Sequence, residues 1–249
     1  MKSLLNPSTA AYNGRKLHGQ VVNELGHRVV GGVYPAGALL PNEEQLCLEL
    51  EVSRTALREA VKVLAAKGLL EARPRIGTRV RDKSLWNLLD PDILAWRCAT
   101  GADAEFLGHL IELREIIEPA AAALAAASRS PAQLADIAAA LHNMETAPDI
   151  AAWVEADLAF HTAILKATNN PLLMPLAAII SSALGTLLSV TARGSDDFKR
   201  GLADHQKVFA AIDSGDSQSS LHRMAGLLSD TRALIKRSTV PAGRPLNQG

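Results

Sequence analysis

The stretch Gly32-Val33-Tyr34-Pro35-Ala36-Gly37-Ala38-Leu39-Leu40-Pro41-Asn42-Glu43-Glu44, continued by Val52-Ser53-Arg54-Thr55-Ala56-Leu57-Arg58-Glu59-Ala60 and closed by Gly68-Leu69-Leu70, decides the fold of the N-terminal third. Asn42 is placed to cap a helix whose first turn holds Glu43 and Glu44, charges that suit the positive end of the helix dipole. That helix is predicted to run from Asn42 to Leu50. After a break at Glu51-Val52, Ser53 is placed to cap a second helix through Arg54, Leu57, Arg58, Val61 and Leu64, with Gly68 as its stop. Two short helices across a tight turn read as helix-turn-helix. Upstream, Leu17, Val21, Val22, Leu25 and Val29 recur at helical spacing as far as Gly31-Gly32, which predicts a further helix. Downstream, Leu69 to Arg81 reads as two short strands around a Pro74/Gly77 tip with arginines at 73, 75, 79 and 81, a wing suited to a phosphate backbone.

Charge supports the same division. The 249-residue chain is formally neutral, yet residues 1–81 carry twelve Lys/Arg against seven Asp/Glu, and the remainder fourteen against nineteen. A basic module joined to a larger acidic one fits a phosphate binder attached to something that is not one. Aromatic residues make up 4% against 48% hydrophobic residues overall, which favours helices over a sandwich or barrel. The two cysteines, Cys47 and Cys98, form no CxxC pair, so neither a zinc knuckle nor a disulfide framework is indicated. Without a membrane-length apolar run or a signal-peptide h-region, the expected location is the cytoplasm.

Arg54 and Arg58 stand four apart, with Thr55 beside them, on a face opposite Ala56, Ala60, Val61 and Leu64. Alone they fit a solvated helix face. Three helices followed by an arginine-rich hairpin make the cationic face a candidate for the major groove, where arginine binds guanine bidentately or clamps a phosphate. The expected DNA-contacting residues are Ser53, Arg54, Thr55 and Arg58 on the helix and Arg73, Arg75, Gly77 and Thr78 in the wing.

Past Arg81, the segment Asp82–Trp96 mixes Pro91 with Trp86 and Trp96 and is expected to pack between domains. Six helical stretches follow, Phe106–Ser128, Pro131–Met144, Ile150–Thr168, Leu172–Thr191, Phe198–Ser214 and Ser217–Lys236, whose short connections predict an antiparallel bundle. On them, Asp157 and His161 share one face at a spacing that can chelate an ion, and His205 can add a third ligand. Arg114 reads as an isolated cation among apolar neighbours, suited to capturing a carboxylate.

The quoted N-terminal motifs resemble the DNA-binding domain of GntR-type regulators, and the C-terminal half resembles the all-helical (FCD-type) effector domain of the FadR subfamily. The resemblance implies that Arg54 and Arg58 contact operator DNA and that the wing tip around Gly77 reaches the minor groove. A third contacting arginine of that family is replaced here by Glu44. It further implies a metal inside the bundle, held by an Asp and three histidines, near which a carboxylate effector docks. Asp157, His161 and His205 match that set, whereas the third histidine position, counted from Gly215-Asp216, holds Leu227. His222, five residues earlier, is turned about 140° away on an ideal helix. The implied cofactor is one divalent ion, zinc, nickel or manganese. Without it, Arg114, Asp157, His161 and His205 can hydrogen-bond a polyhydroxylated acid directly. The Trp86–Asp90 segment and the missing histidine resemble a branch that answers to sugar acids such as galactonate.

The predicted architecture is mainly α: a flexible N-terminus (1–15), a winged helix-turn-helix (16–82), an inter-domain linker (83–100), an all-helical effector-binding domain (101–238) and a disordered tail (239–249). The expected function is a homodimeric repressor on double-stranded operator DNA, with no membrane partner, released by a small carboxylate or sugar acid. Two other readings stay open at this level: a metal-dependent enzyme on the helical domain, and a DNA-binding protein that senses nothing.

Overall fold

Both predicted caps close their helices. In the computed structural model, which describes residues 7–101, 104–177, 179–180 and 198–239, Asn42 Oδ1 accepts from Gln45 N at 2.9 Å and Gln45 Oε1 accepts from Asn42 N at 3.2 Å. This reciprocal capping box starts α2 (Glu43–Glu49). Ser53 Oγ accepts from Ala56 N at 3.2 Å and starts α3 (Arg54–Ala66). Preceding them is α1 (Pro7–Val30), whose apolar face Val21, Val22, Leu25 and Val29 packs with Leu57, Ala60 and Leu64 of α3. Strands β1 (Leu70–Arg73) and β2 (Gly77–Val80) pair antiparallel, with Leu70 opposite Val80 and Arg73 opposite Gly77. A winged helix-turn-helix results.

Two sequence expectations need correcting in this unit, which spans residues 1–101. Helix α1 begins at Pro7, ten residues before its apolar periodicity, so residues 7–15 of the segment expected to be flexible are helical. Helical hydrogen bonding continues past the point where burial stops dictating sequence, and proline suits a first helical position. The second correction concerns residues 83–100. Trp86, Ile93 and Trp96 are buried in the core built from α1, α3 and the wing, so the segment belongs to the first unit and is no linker. After a 3-10 turn at Lys83–Leu85, Asp90 caps α4 (Pro91–Ala99), which lies on α1 and donates from Trp96 Nε1 to Asn23 Oδ1 at 2.6 Å. At the end of α3, Lys67 Nζ sits 2.8 Å from both Asp90 Oδ2 and Asp92 Oδ2, and the Lys67 carbonyl accepts from Asn87 N at 3.2 Å.

Gly68 ends α3 with φ +84°, and a Cβ built there would lie 2.6 Å from the Leu85 carbonyl oxygen. Both the conformation and the contact exclude a side chain. Gly68→Ala is therefore expected to destabilise the first unit by roughly 2–3 kcal/mol, read as a lower urea midpoint without a change in m.

The second unit, residues 102–249, holds α5 (Ala104–Ser128), α6 (Pro131–Thr146), α7 (Ile150–Ala167), a 3-10 turn (Pro171–Leu176), α8 (Leu202–Asp213) and α9 (Ser217–Thr239). Ala121, Ala122, Ala125 and Ala126 on α5 are small enough to bring neighbouring backbones close, and the space they leave is filled by Met144, Phe160, Ile164 and Ile212. The stretch expected as one helix, Leu172–Thr191, opens as the 3-10 turn because Pro175 has no N–H to close an α-turn onto Pro171. Its remainder from 181 lies outside the described residues. So does the tail from 240. Helix α8 starts at Leu202, with Phe198–Gly201 forming a turn in place of the helical start expected at Phe198.

Candidate functional site

Helix α3 presents Ser53, Arg54, Thr55 and Arg58 to solvent while Leu57 and Ala60 are buried, so the amphipathic reading of this helix describes its two faces. The side chains of Arg54 and Arg58 are 67% and 66% exposed. In the wing, Arg73 and Arg75 are exposed, Arg73 beside Glu71 at 2.9 Å, and Gly77 takes φ +119° at the start of β2. Thr78 is half-buried, its carbonyl accepting from Leu40 N at 2.8 Å. Arg79 has a structural task, donating from Nε to the Gly37 carbonyl at 2.8 Å.

Sequence reading missed one partner on this face. Glu43, in the first turn of α2, places Oε2 2.8 Å from Arg58 Nε and Oε1 3.9 Å from Arg54 Nε. Fifteen residues separate Glu43 from Arg58, so no local spacing announces the pair.

The second site lies inside the bundle, where α5, α7 and α8 bring together five polar residues that are all at most 5% exposed: Arg114, Glu118, Asp157, His161 and His205. Asp157 and His161 project from one face of α7, as their spacing predicted, and His205 comes in from α8. Asp157 Oδ1 lies 2.8 Å from His205 Nε2 and 3.4 Å from His161 Nε2. Arg114 is not isolated. Its guanidinium is paired along α5 with Glu118, whose other oxygen lies against His161 Nδ1. The i, i+4 spacing of Arg114 and Glu118 was the available signal.

Burial opposes charge on every member, so each ionised group depends on the others. Burial alone would raise Glu118; Arg114 and His161 overcome it and hold the carboxyl at about 2. Burial would likewise lower His161, but Glu118 and Asp157 raise it to about 9. Asp157 is held well below the usual carboxylate range by His161 and His205, against the same burial. With His161 protonated, Arg114 and His161 balance Glu118 and Asp157.

His205 Nδ1 lies 2.7 Å from the Gly201 carbonyl, to which only an N–H can donate. That leaves Nε2 as the ring atom turned toward the Asp157 carboxylate. Asp157 Oδ1 and His205 Nε2 lie 2.8 Å apart, yet neither makes an aligned hydrogen bond, nor does His161 Nδ1 despite its closeness to Glu118. A cation resolves such a contact. One donor atom from each of Asp157, His161 and His205 falls within 4.8 Å of the others, so the residues present fit a divalent ion.

A family model of the bacterial regulatory proteins of the gntR family matches residues 17–80, and a model of the FCD domain matches residues 109–230. Over 222 residues the chain is 32% identical to the galactonate operon transcriptional repressor of Escherichia coli (strain K12), covering 88% of this chain and 97% of that one. The chain belongs to the gntR family. A second E. coli relative, the uncharacterized HTH-type transcriptional regulator YieP, is 34% identical over 215 residues, covering 84% of this chain and 90% of that one. The solved structure of Lar, which controls expression of the Listeria monocytogenes agr system, shares the fold with TM-score 0.65 at 19% identity, over 95% of this chain and 98% of that one.

This gntR-family chain is thus a DNA-binding transcription regulator with an FCD domain and is not an enzyme. No helix among the described residues is long and apolar enough to cross a membrane. The departure at Leu227 carries through to the fold: Leu227 is buried in the bundle core, while His222 is exposed on the outer side of α9, its Nδ1 2.7 Å from the Gln218 carbonyl. His222 does not stand in for the missing ligand.

Proposed function

We propose that the chain is a homodimeric repressor released from operator DNA by a small polyhydroxylated carboxylate, which it receives beside a divalent ion held by Asp157, His161 and His205. The observation that carries this reading is the buried pair of Asp157 Oδ1 and His205 Nε2, 2.8 Å apart with neither atom in an aligned hydrogen bond, which a shared cation would satisfy. A bound ion supplies a Lewis-acid anchor for carboxylate and hydroxyl oxygens, and zinc, nickel and manganese are the candidates. Arg114 adds positive charge 3.5 Å from His161 Nε2 and is the candidate partner for the effector carboxylate. Galactonate, named in the operon of a relative 32% identical, is an acid of this class. On the DNA side, Ser53, Arg54, Thr55 and Arg58 are proposed to enter the major groove, with Arg73, Arg75, Gly77 and Thr78 following the backbone into the minor groove. Two copies would place their recognition helices on half-sites of a near-palindromic operator.

Release requires the effector to bind the DNA-incompetent arrangement more tightly than the competent one. A thermal-shift screen of chelator-treated protein tests the reading, using sugar acids and short carboxylates with and without zinc, nickel or manganese. An acid at a hundred times its dissociation constant is expected to add about 2.7 kcal/mol. A shift that needs metal and acid together supports the ion-anchored pocket. A shift with acid alone would assign the cluster to direct contact, and silence from every acid would overturn the sensing role.

Metal binding is expected to depend on pH with a defined sign. His161 carries a proton up to about 9, and this proton must leave for the ring to become a ligand. Zinc affinity should therefore rise about tenfold per pH unit between pH 6 and 9, with one proton released per ion. Isothermal titration in buffers of different ionisation enthalpy counts that proton.

A further inference from the structure

We infer that Glu43 is a positioning residue for operator recognition: by holding Arg58, and reaching Arg54, it turns two mobile cations into oriented readers of base edges. The inference rests on the reading that Arg54 and Arg58 face DNA, and it concerns a residue to which that reading gives no task. Three features of the structure carry it.

First, the contact is directional. Arg58 donates from Nε to Glu43 Oε2 at 2.8 Å, which leaves the two Nη groups at the end of the side chain for an end-on bidentate contact with guanine or a phosphate. The second carboxylate oxygen faces Arg54 Nε at 3.9 Å, so one acidic group sits against both arginines of the recognition face. Second, Glu43 is not committed elsewhere. The box that starts α2 is made by Asn42 and Gln45, and Glu43 takes no part in it. Third, the side chains reach solvent, Glu43 half-buried at 35% and the arginines exposed at 66–67%, so the pair is accessible to DNA and does not serve a buried core.

A free arginine side chain can bind any phosphate it reaches, and this sequence-independent attraction dominates non-specific affinity. Tethering at Nε restricts that freedom and pre-sets the guanidinium plane. The carboxylate also subtracts one positive charge from a unit whose residues 1–81 carry five more basic than acidic groups, which weakens indiscriminate binding. Both effects act in the same sense: they lower affinity for arbitrary DNA and preserve affinity for the sequence whose bases accept the oriented guanidinium.

The test uses the full chain. A duplex is selected by the wild-type protein from a random-sequence pool, and its dissociation constant is compared with that of a scrambled duplex of equal length across a potassium chloride series. Glu43→Ala is expected to lower the selected-to-scrambled ratio by about tenfold and to steepen the salt slope on the scrambled duplex by about one unit as Arg58 becomes free to take a phosphate. Glu43→Gln, which keeps an acceptor for Nε, should retain most of the ratio. In the Arg58→Ala background, Glu43→Ala should change the ratio much less, since the group it positions is gone. Equal tightening on both duplexes would reduce Glu43 to a repelling charge and overturn the inference. Equal weakening with a lower melting temperature would reduce it to a structural residue and overturn the inference as well. If Arg58→Ala lowers the ratio and Glu43→Ala does not, only the positioning role fails. If Arg58→Ala leaves the ratio at the wild-type value, the assignment of Arg58 to base readout fails first, and the positioning role falls with it.

Discussion

Glu118→Ala is expected to lower the folding stability of the chelator-treated chain by about 3–5 kcal/mol, because it strips the counter-charge from two buried cations at once. Glu118 is paired with Arg114 on its own helix and lies against His161 on α7, and all three are at most 3% exposed. Urea denaturation reads the loss, and its pH dependence identifies the source. Glu118 is held at about 2 against an ordinary 4.5, so its contribution is complete above pH 4.5 and fades as pH falls toward 2. His161 is raised from 6.5 to about 9, so its contribution is complete below pH 6.5 and is lost as pH rises through 9. The wild-type chain should be most stable between those limits. The alkaline fall should shrink in the variant, since Glu118 is gone and Asp157 alone is left to raise His161. A stability loss below about 1 kcal/mol would mean that water reaches the cluster and supplies the missing screening. Replacing Arg114 and Glu118 together by apolar residues of similar size should restore much of the stability, as buried ion pairs rarely out-stabilise good packing. Ligand response should not return with it.

Arg58→Ala is expected to weaken binding to a selected operator duplex by about 1–3 kcal/mol, and Arg54→Ala by a similar amount. A base contact and a phosphate contact leave different signatures. If Arg58 reads a base, its loss relaxes the preference at one position and leaves the salt slope nearly unchanged. If it clamps a phosphate, affinity falls evenly across sequences and the slope declines by about one unit. Because the arginines share Glu43, their effects should not add: removing one leaves Glu43 wholly to the other. Fluorescence anisotropy at two or more salt concentrations separates these cases.

How much of this was legible in the sequence follows from the range of the interactions involved. The caps at Asn42 and Ser53, the stop at Gly68 and the hairpin after it are set within a few residues, and each stands where the local chemistry put it. The convergence of His205 on Asp157 and His161 is long-range: the residues offered His205 only as a candidate third ligand and the resemblance matched it to a set, since periodicity places a residue on a face without saying which helix it meets. Glu118 was within reach of the i, i+4 rule but was masked by reading Arg114 as alone among apolar neighbours. Trp86 and Trp96 were read as inter-domain packing because a tryptophan declares burial and not its address. Glu43 offered no local signal, being fifteen residues from Arg58.

The clasp of Lys67 between Asp90 and Asp92 has a mechanical meaning. Lys67, the residue that follows α3, is bolted to Asp90 and Asp92 at the start of α4 by two ionic contacts of 2.8 Å and to Asn87 by one backbone hydrogen bond, and Trp86 and Ile93 are buried in the same core. Such a joint has little backlash: torque applied to α4 reaches α3 before side-chain slack can absorb it. Within this unit a shift of the free end of α4 by a fraction of a helical turn would carry α3 along, and Arg54 and Arg58 with it.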